Sequence, residues 1–136
     1  MTNPVAKSRP EFRNIHVSQL FQYKLPPPGL VSIMHRISGA ALFLLLPFIL
    51  WLFELSLTSE ISYARLLEVA SNAMVKLVLV GLACAYLHHL IAGVRYLMLD
   101  LHIGLDKPVA RTSALAVYWI SLPLTLIAAL RIFGVF

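Results

Sequence analysis

An all-α membrane protein with three transmembrane helices is the fold class this sequence predicts, and three observations carry it. The composition is 60% hydrophobic and only 12% charged, with mean hydropathy +0.83. A soluble domain is about 45–50% apolar and 25% charged. Three stretches contain no Asp, Glu, Lys or Arg: Ile37–Phe53, Leu77–Val94 and Thr112–Leu130. Each approaches the roughly 20 residues a helix needs to cross hydrocarbon. The net charge of +5 sits on residues that flank these stretches. That placement reads as membrane topology, not as a nucleic-acid surface.

Taken in order, residues 1–29 form a polar, basic arm in which Lys7, Arg9, Arg13 and Lys24 outnumber Glu11. Pro26, Pro27, Pro28 and Gly29 then break the chain, because proline lacks an N–H and restricts its neighbour. A transmembrane domain is expected over residues 30–136, with spans at about 30–55, 67–101 and 112–133. The first opens near Leu30, bends at Pro47 and carries Trp51 at the level of an aromatic belt. Glu54–Glu68 reads as a short, mildly acidic loop. Lys76, early in the second span, has a stem long enough to snorkel. Leu101–Arg111, with Gly104 and Pro108, reads as the second loop. The third span carries Tyr118 and Trp119, a kink at Pro123, and Arg131 at its end.

Three spans put the termini on opposite sides. Lys7, Arg9, Arg13, Lys24, Arg36, Arg95, Lys107 and Arg111 fall on one side; Arg65, Lys76 and Arg131 fall on the other. The excess predicts a cytoplasmic N-terminus and a cytoplasmic 101–111 loop. The polar N-terminus has neither a secretory signal pattern nor a transit-peptide composition, so a multi-pass protein of a bacterial inner membrane is expected, with an already processed organellar protein as the alternative. Cys84 is the single cysteine. It permits no disulfide within the chain and no iron–sulfur cluster held by the chain alone, and without C-x-x-C-H there is no covalent haem attachment.

The stretch with chemical potential is Tyr86–Asp100, YLHHLIAGVRYLMLD. It sets two histidines inside an apolar run, where an ionisable group is a functional candidate. At 100° per residue, Ala85, His89, Gly93, Tyr96 and Asp100 share a stripe roughly 80° wide, while His88 points about 100° away. Both rings therefore cannot serve one flat cofactor from the same side. His89 has glycine one turn along its own face, where a planar group could approach. Its imidazole can ligate haem iron, or simply hydrogen-bond a neighbouring helix.

A second cluster opens the first span. Ser32, His35, Arg36 and Gly39 recur at i, i+3, i+4 and i+7 and share one face. A hydroxyl, an imidazole and a guanidinium there can bind carboxylates or the carbonyl of a lipophilic ligand. Arg36 can equally be a positive-inside anchor, and Ser32 a helix-start residue. His89 lies six residues before Arg95, so about 9 Å deeper. His35 and Arg36 are expected near the surface of the same leaflet. Haem with iron at the depth of His89 could then direct its propionates to His35, Arg36 or Tyr96.

Arg9-Pro10, Tyr23–Pro26, the run Ser32-Ile-Met-His35-Arg36-Ile-Ser-Gly39, and His89-Leu-Ile-Ala-Gly93-Val-Arg95 with Asp100 beyond resemble the cytochrome b556 subunit of succinate dehydrogenase. That subunit is the larger membrane anchor of respiratory complex II, and the resemblance covers nearly the whole chain. It implies a helical bundle formed with a second membrane-anchor subunit, and docking to an iron–sulfur subunit and a flavoprotein subunit. It implies haem b between the anchors, with His89 as axial ligand of the iron and the other ligand from the second anchor. It places His35 and Arg36 by the propionates and Ser32 and Arg36 at a ubiquinone pocket. Tyr96 stands where some members have a second histidine, and His88 where others have a different residue. The chain is then expected to carry no succinate oxidation of its own.

Two alternatives accompany this expectation. One is a cofactor-free structural anchor. The other is a self-contained haem b electron carrier, which would need two histidines at equal depth, whereas His35 is expected shallower than His89. Asp100, unfavourable at a helix C-terminus, is expected to pair with a cation. His16 and His102 read as solvated loop residues; Met34, Met74, Met98 and Cys84 read as packing.

Overall fold

The computed structural model describes residues 23–135. Residues 1–22 of the basic arm, His16 included, lie outside the described residues. Four helices follow in order: α1 Pro27–Thr58, α2 Glu60–Ser71, α3 Ala73–Asp100 and α4 Lys107–Phe133. Three of them, α1, α3 and α4, are long and apolar enough to cross a membrane. With 32, 28 and 27 residues they run about 48, 42 and 40 Å at 1.5 Å per residue, against a hydrocarbon core of about 30 Å. Each therefore passes through the headgroup layers as well.

The helix ends show local chemistry that span-level patterns do not. α1 starts with Pro27 and Pro28 in its first turn, where a missing N–H costs nothing; it begins three residues before Leu30. Pro108 opens α4 in the same way, so the loop expected over Leu101–Arg111 shortens to Leu101–Asp106. The segment expected as a loop over Glu54–Glu68 is helical on both sides of Ser59. The Ser59 side chain accepts from the Ser62 N–H, and the Ser62 hydroxyl accepts from the Ser59 N–H. This is a reciprocal cap that starts α2. Asn72 then separates α2 from α3, its side chain accepting the Met74 N–H at 2.9 Å. Leu67–Ser71 thus belong to α2 and not to the second span.

α3 is the central element. It packs against α1 and, more extensively, against α4. The buried centre is small: Val31 of α1, Ala92 of α3, and Ala114 and Val117 of α4, with Ile91, Tyr96 and Tyr118 around it. Hydrocarbon tails solvate leucine as well as another helix does, so membrane helices associate through close packing and hydrogen bonds. Ala92 and Ala114, both fully buried, allow that close approach. At the far end, the Lys76 ammonium lies 5.7 Å from the Phe133 ring, which ties the start of α3 to the end of α4.

α3 closes with a left-handed residue. His102 has φ +63°; its N–H reaches Leu99 O at 2.9 Å, and the Ile103 N–H reaches Met98 O at 3.0 Å. This is the Schellman pattern, with histidine where glycine is usual.

Candidate functional site

The site lies where the first turns of α1 cross α3. The His35 and His89 rings stack with centroids 4.1 Å apart and planes within 5°. His89 Nδ1 lies 3.0 Å from the His35 carbonyl oxygen and 3.3 Å from Ser38 Oγ. Ser38 Oγ also donates to that carbonyl at 3.0 Å. A carbonyl only accepts, so Nδ1 carries the proton in this bond and Nε2 keeps the ring's lone pair.

The His89 ring can lie there because α1 offers glycine. A Cβ placed on Gly39 would stand 2.7 Å from His89 Cε1 and 3.2 Å from Nδ1, well inside contact distance. Gly93, on the same stripe as His89 and expected to let a planar group approach there, has a neighbour of its own. It faces His35, whose Nε2 would be 3.6 Å from an added Cβ. Each glycine serves the histidine of the opposite helix, because ridges of one helix fill grooves of its neighbour.

The stacked rings also limit the difference in depth between His35 and His89 to the 4.1 Å between their centroids. A porphyrin between two axial imidazoles meets ring edges on opposite sides. Here the rings lie face to face in van der Waals contact, which leaves no space for a plane between them. Within one chain, then, these two histidines do not form a two-ligand haem site.

Of the remaining candidates, Tyr96 joins the cluster: its ring centroid is 5.0 Å from that of His35 and 5.4 Å from the Arg95 guanidinium carbon. Its hydroxyl is buried and has no hydrogen-bond partner among the described residues. Ser32 is half-buried, and Arg36 is exposed on the outer side of α1. The four-residue face expected from spacing therefore divides. His35 and Gly39 turn to α3, while Arg36 is presented away from the chain's own packing.

His88 meets a different neighbour. It is 6% exposed and its ring centroid lies 5.5 Å from that of Tyr118 on α4. Its Nε2 is buried without a hydrogen-bond partner among the described residues. Arg95 also turns to α4, its Nε donating to Ser113 Oγ at 3.0 Å and an Nη2 proton to Ala110 O at 3.1 Å. Sequence reasoning used Arg95 as a topology marker and as part of the family motif but gave its side chain no role, and did not single out Ser38. A serine between a histidine and a glycine at a helix crossing is the available signal for Ser38. Asp100 is exposed at the end of α3.

Haem is the group that the resemblance implies, and the donor set can be judged from the ring itself. Imidazole ligands of metals almost always donate the second nitrogen to a carbonyl or carboxylate. His89 has that bond to His35, an available Nε2 and a cradle that only glycine permits. No group of three or more His, Cys, Asp or Glu gathers among the described residues. A porphyrin supplies four nitrogens of its own and asks only an axial donor of the protein. The residues fit.

Residues 10–128 match the succinate dehydrogenase/fumarate reductase transmembrane subunit family. The chain belongs to that family, and it is a multi-pass membrane protein with three membrane-spanning helices. It is similar to the succinate dehydrogenase cytochrome b556 subunit of Coxiella burnetii, 36% identical over 75% of this chain and 82% of that one. The subunit of the same name from Paracoccus denitrificans is 34% identical over 69% and 72% of the two chains. That of Rickettsia felis is 30% identical over 77% and 82%.

Proposed function

We propose that this chain anchors a succinate dehydrogenase to the membrane, carries haem b jointly with a second anchor subunit, and forms part of the ubiquinone site. The single observation behind the haem assignment is the fixed tautomer of His89: Nδ1–H held by the His35 carbonyl at 3.0 Å, Nε2 left with its lone pair. His89 is then the axial ligand from this chain, and the opposite ligand comes from the second anchor. When bound, haem b supplies a one-electron relay within the membrane. His35 would line the ligand ring and the exposed Arg36 would supply donors for the propionates; the Tyr96 hydroxyl, buried within the chain, would reach them only if its side chain turned outward.

Ser32 and Arg36 would orient the quinone. The hydroxyl donates one hydrogen bond, and the guanidinium offers a rigid fork of donors to a ring carbonyl. As electrons arrive, negative charge builds on that oxygen, and a fixed cation in a poorly solvated site stabilises it. Exposure of Arg36 on the outer side of α1 suits a site completed by other subunits, here an iron–sulfur subunit that receives electrons from a flavoprotein. The eight-to-three distribution of Lys and Arg supports an N-terminal arm, residues 1–29, in the cytoplasm of a bacterial cell.

The test is made on the assembled complex. Arg36→Leu should depress quinone reduction at least tenfold, the loss expected from one charge-assisted hydrogen bond. Succinate oxidation with an artificial acceptor should be preserved. Equal loss of both activities would contradict a quinone role for Arg36.

A further inference from the structure

A second polar feature lies on the other side of α3 and takes no part in the proposed haem and quinone chemistry. Arg95 is only 8% exposed, yet both of its hydrogen-bond partners, Ser113 Oγ and Ala110 O, are neutral. Neither brings a countercharge, the Tyr96 ring 5.4 Å away offers only its π face, and three of the five guanidinium protons remain after these two bonds. A cation without an anionic partner inside a membrane protein is costly.

Arg95 forms part of the wall of a groove of about 290 Å³ between the last turns of α3 and the first half of α4. Apart from Ser113 its other walls are apolar, with Val94, Met98, Ile103, Val109 and Ile120 among them, each about half exposed. The depth is informative. α3 is about 12 Å longer than the hydrocarbon core, so about 6 Å projects at each end of a centred helix. Arg95 lies five residues before the end of α3, about 7.5 Å along the axis, at the border between acyl chains and headgroups. Lys107 and Arg111, both exposed, stand at the same end. The carboxylates there are Asp100 and Asp106, also exposed; α3 turns Asp100 about 140° away from Arg95.

We infer that this groove binds one anionic phospholipid, its phosphate on the Arg95 guanidinium and an acyl chain along the apolar walls. Basic pockets between membrane helices bind anionic headgroups in this manner. The apolar walls favour a lipid over a free anion, and the border depth favours a phosphodiester over a partner's side chain.

The test uses the assembled complex in nanodiscs of phosphatidylcholine, with and without phosphatidylglycerol, and counts retained lipid by native mass spectrometry. The wild-type complex should hold phosphatidylglycerol about fivefold in preference to phosphatidylcholine: both offer the phosphodiester, but the choline cation offsets its charge beside Arg95, a difference of roughly 1 kcal/mol. Arg95→Gln should abolish the preference. Val109→Trp fills the groove from a half-exposed position and leaves the Arg95 bonds to α4 intact; it should abolish the preference in a complex that still assembles. Equal retention of the two lipids by wild type would overturn the assignment. So would an unchanged preference in Val109→Trp, complete competition by inorganic phosphate, or a photo-crosslinker at position 109 that captures a subunit in place of lipid.

Discussion

His88 and His89 are neighbours in sequence and neighbours in depth, yet their rings pack against rings of different helices and so have different chemistry. His89 turns to α1, where a backbone carbonyl, a serine and a glycine fix its ring and leave one nitrogen available. His88 turns to α4, packs near Tyr118 and buries its Nε2 among apolar neighbours. The α1 side of α3 is polar and half-open. The α4 side contains Ala92, Ala114 and Val117 and holds the helices together. What separates a ligand from a packing residue here is not the residue type but the partner helix that the 100° step selects.

Substitutions should expose that contrast, and the largest effect belongs to the α1 side. Gly39→Ala places a methyl group 2.7 Å from His89 Cε1, so the ring must move. We expect loss or marked change of the low-spin haem signal in electron paramagnetic resonance, with a stability cost of about 1–3 kcal/mol from overpacking. An unchanged signal would remove the cradle from the account.

On the α4 side, Ser113→Ala strips the acceptor from Arg95 Nε. A buried donor left unpaired costs about 1–3 kcal/mol, which should lower the thermal midpoint of the complex without altering the haem spectrum. A spectral change would show that the two sides of α3 are coupled.

His88→Phe is the sharpest control. It removes an unpartnered buried nitrogen and keeps a ring beside Tyr118, so stability should change by less than about 1 kcal/mol. The haem spectrum should be that of the wild type. Loss of haem from this variant would reverse the roles of the two histidines.

The smallest effect is expected at the end of α3. His102→Gly relieves a left-handed backbone position and should raise stability by up to about 1 kcal/mol, with spectrum and activity unchanged. A lowered thermal midpoint would show that the His102 side chain does more than occupy the turn.

The three spans were legible because uncharged runs of membrane-crossing length tolerate few other interpretations. The separate directions of His88 and His89 were legible as well, since they follow from the helical step alone. The crossed glycines were not. Periodicity orders residues on one helix but says nothing about which residue of another helix stands opposite, so the contacts of Gly39 with His89 and of Gly93 with His35 could not be foreseen. The same missing register hid the stacking of His35 on His89 and the bonds of Arg95 to α4. α2 was hidden for a local reason. Its capping box uses Ser62 at the position where glutamate or glutamine is the usual signature, and its residues are less apolar than those of a span.

The most direct measurement of the proposed ligand is a ligand exchange. In the assembled complex, His89→Met should replace imidazole by thioether on one side of the iron, since both are established axial donors. With a histidine contributed by the second anchor, as the resemblance implies, near-infrared magnetic circular dichroism of the ferric haem should then change from a bis-imidazole band in the wild type to an imidazole–thioether band in the variant. A fully haem-loaded His89→Met complex that retains the bis-imidazole band would contradict the assignment of His89 to the iron.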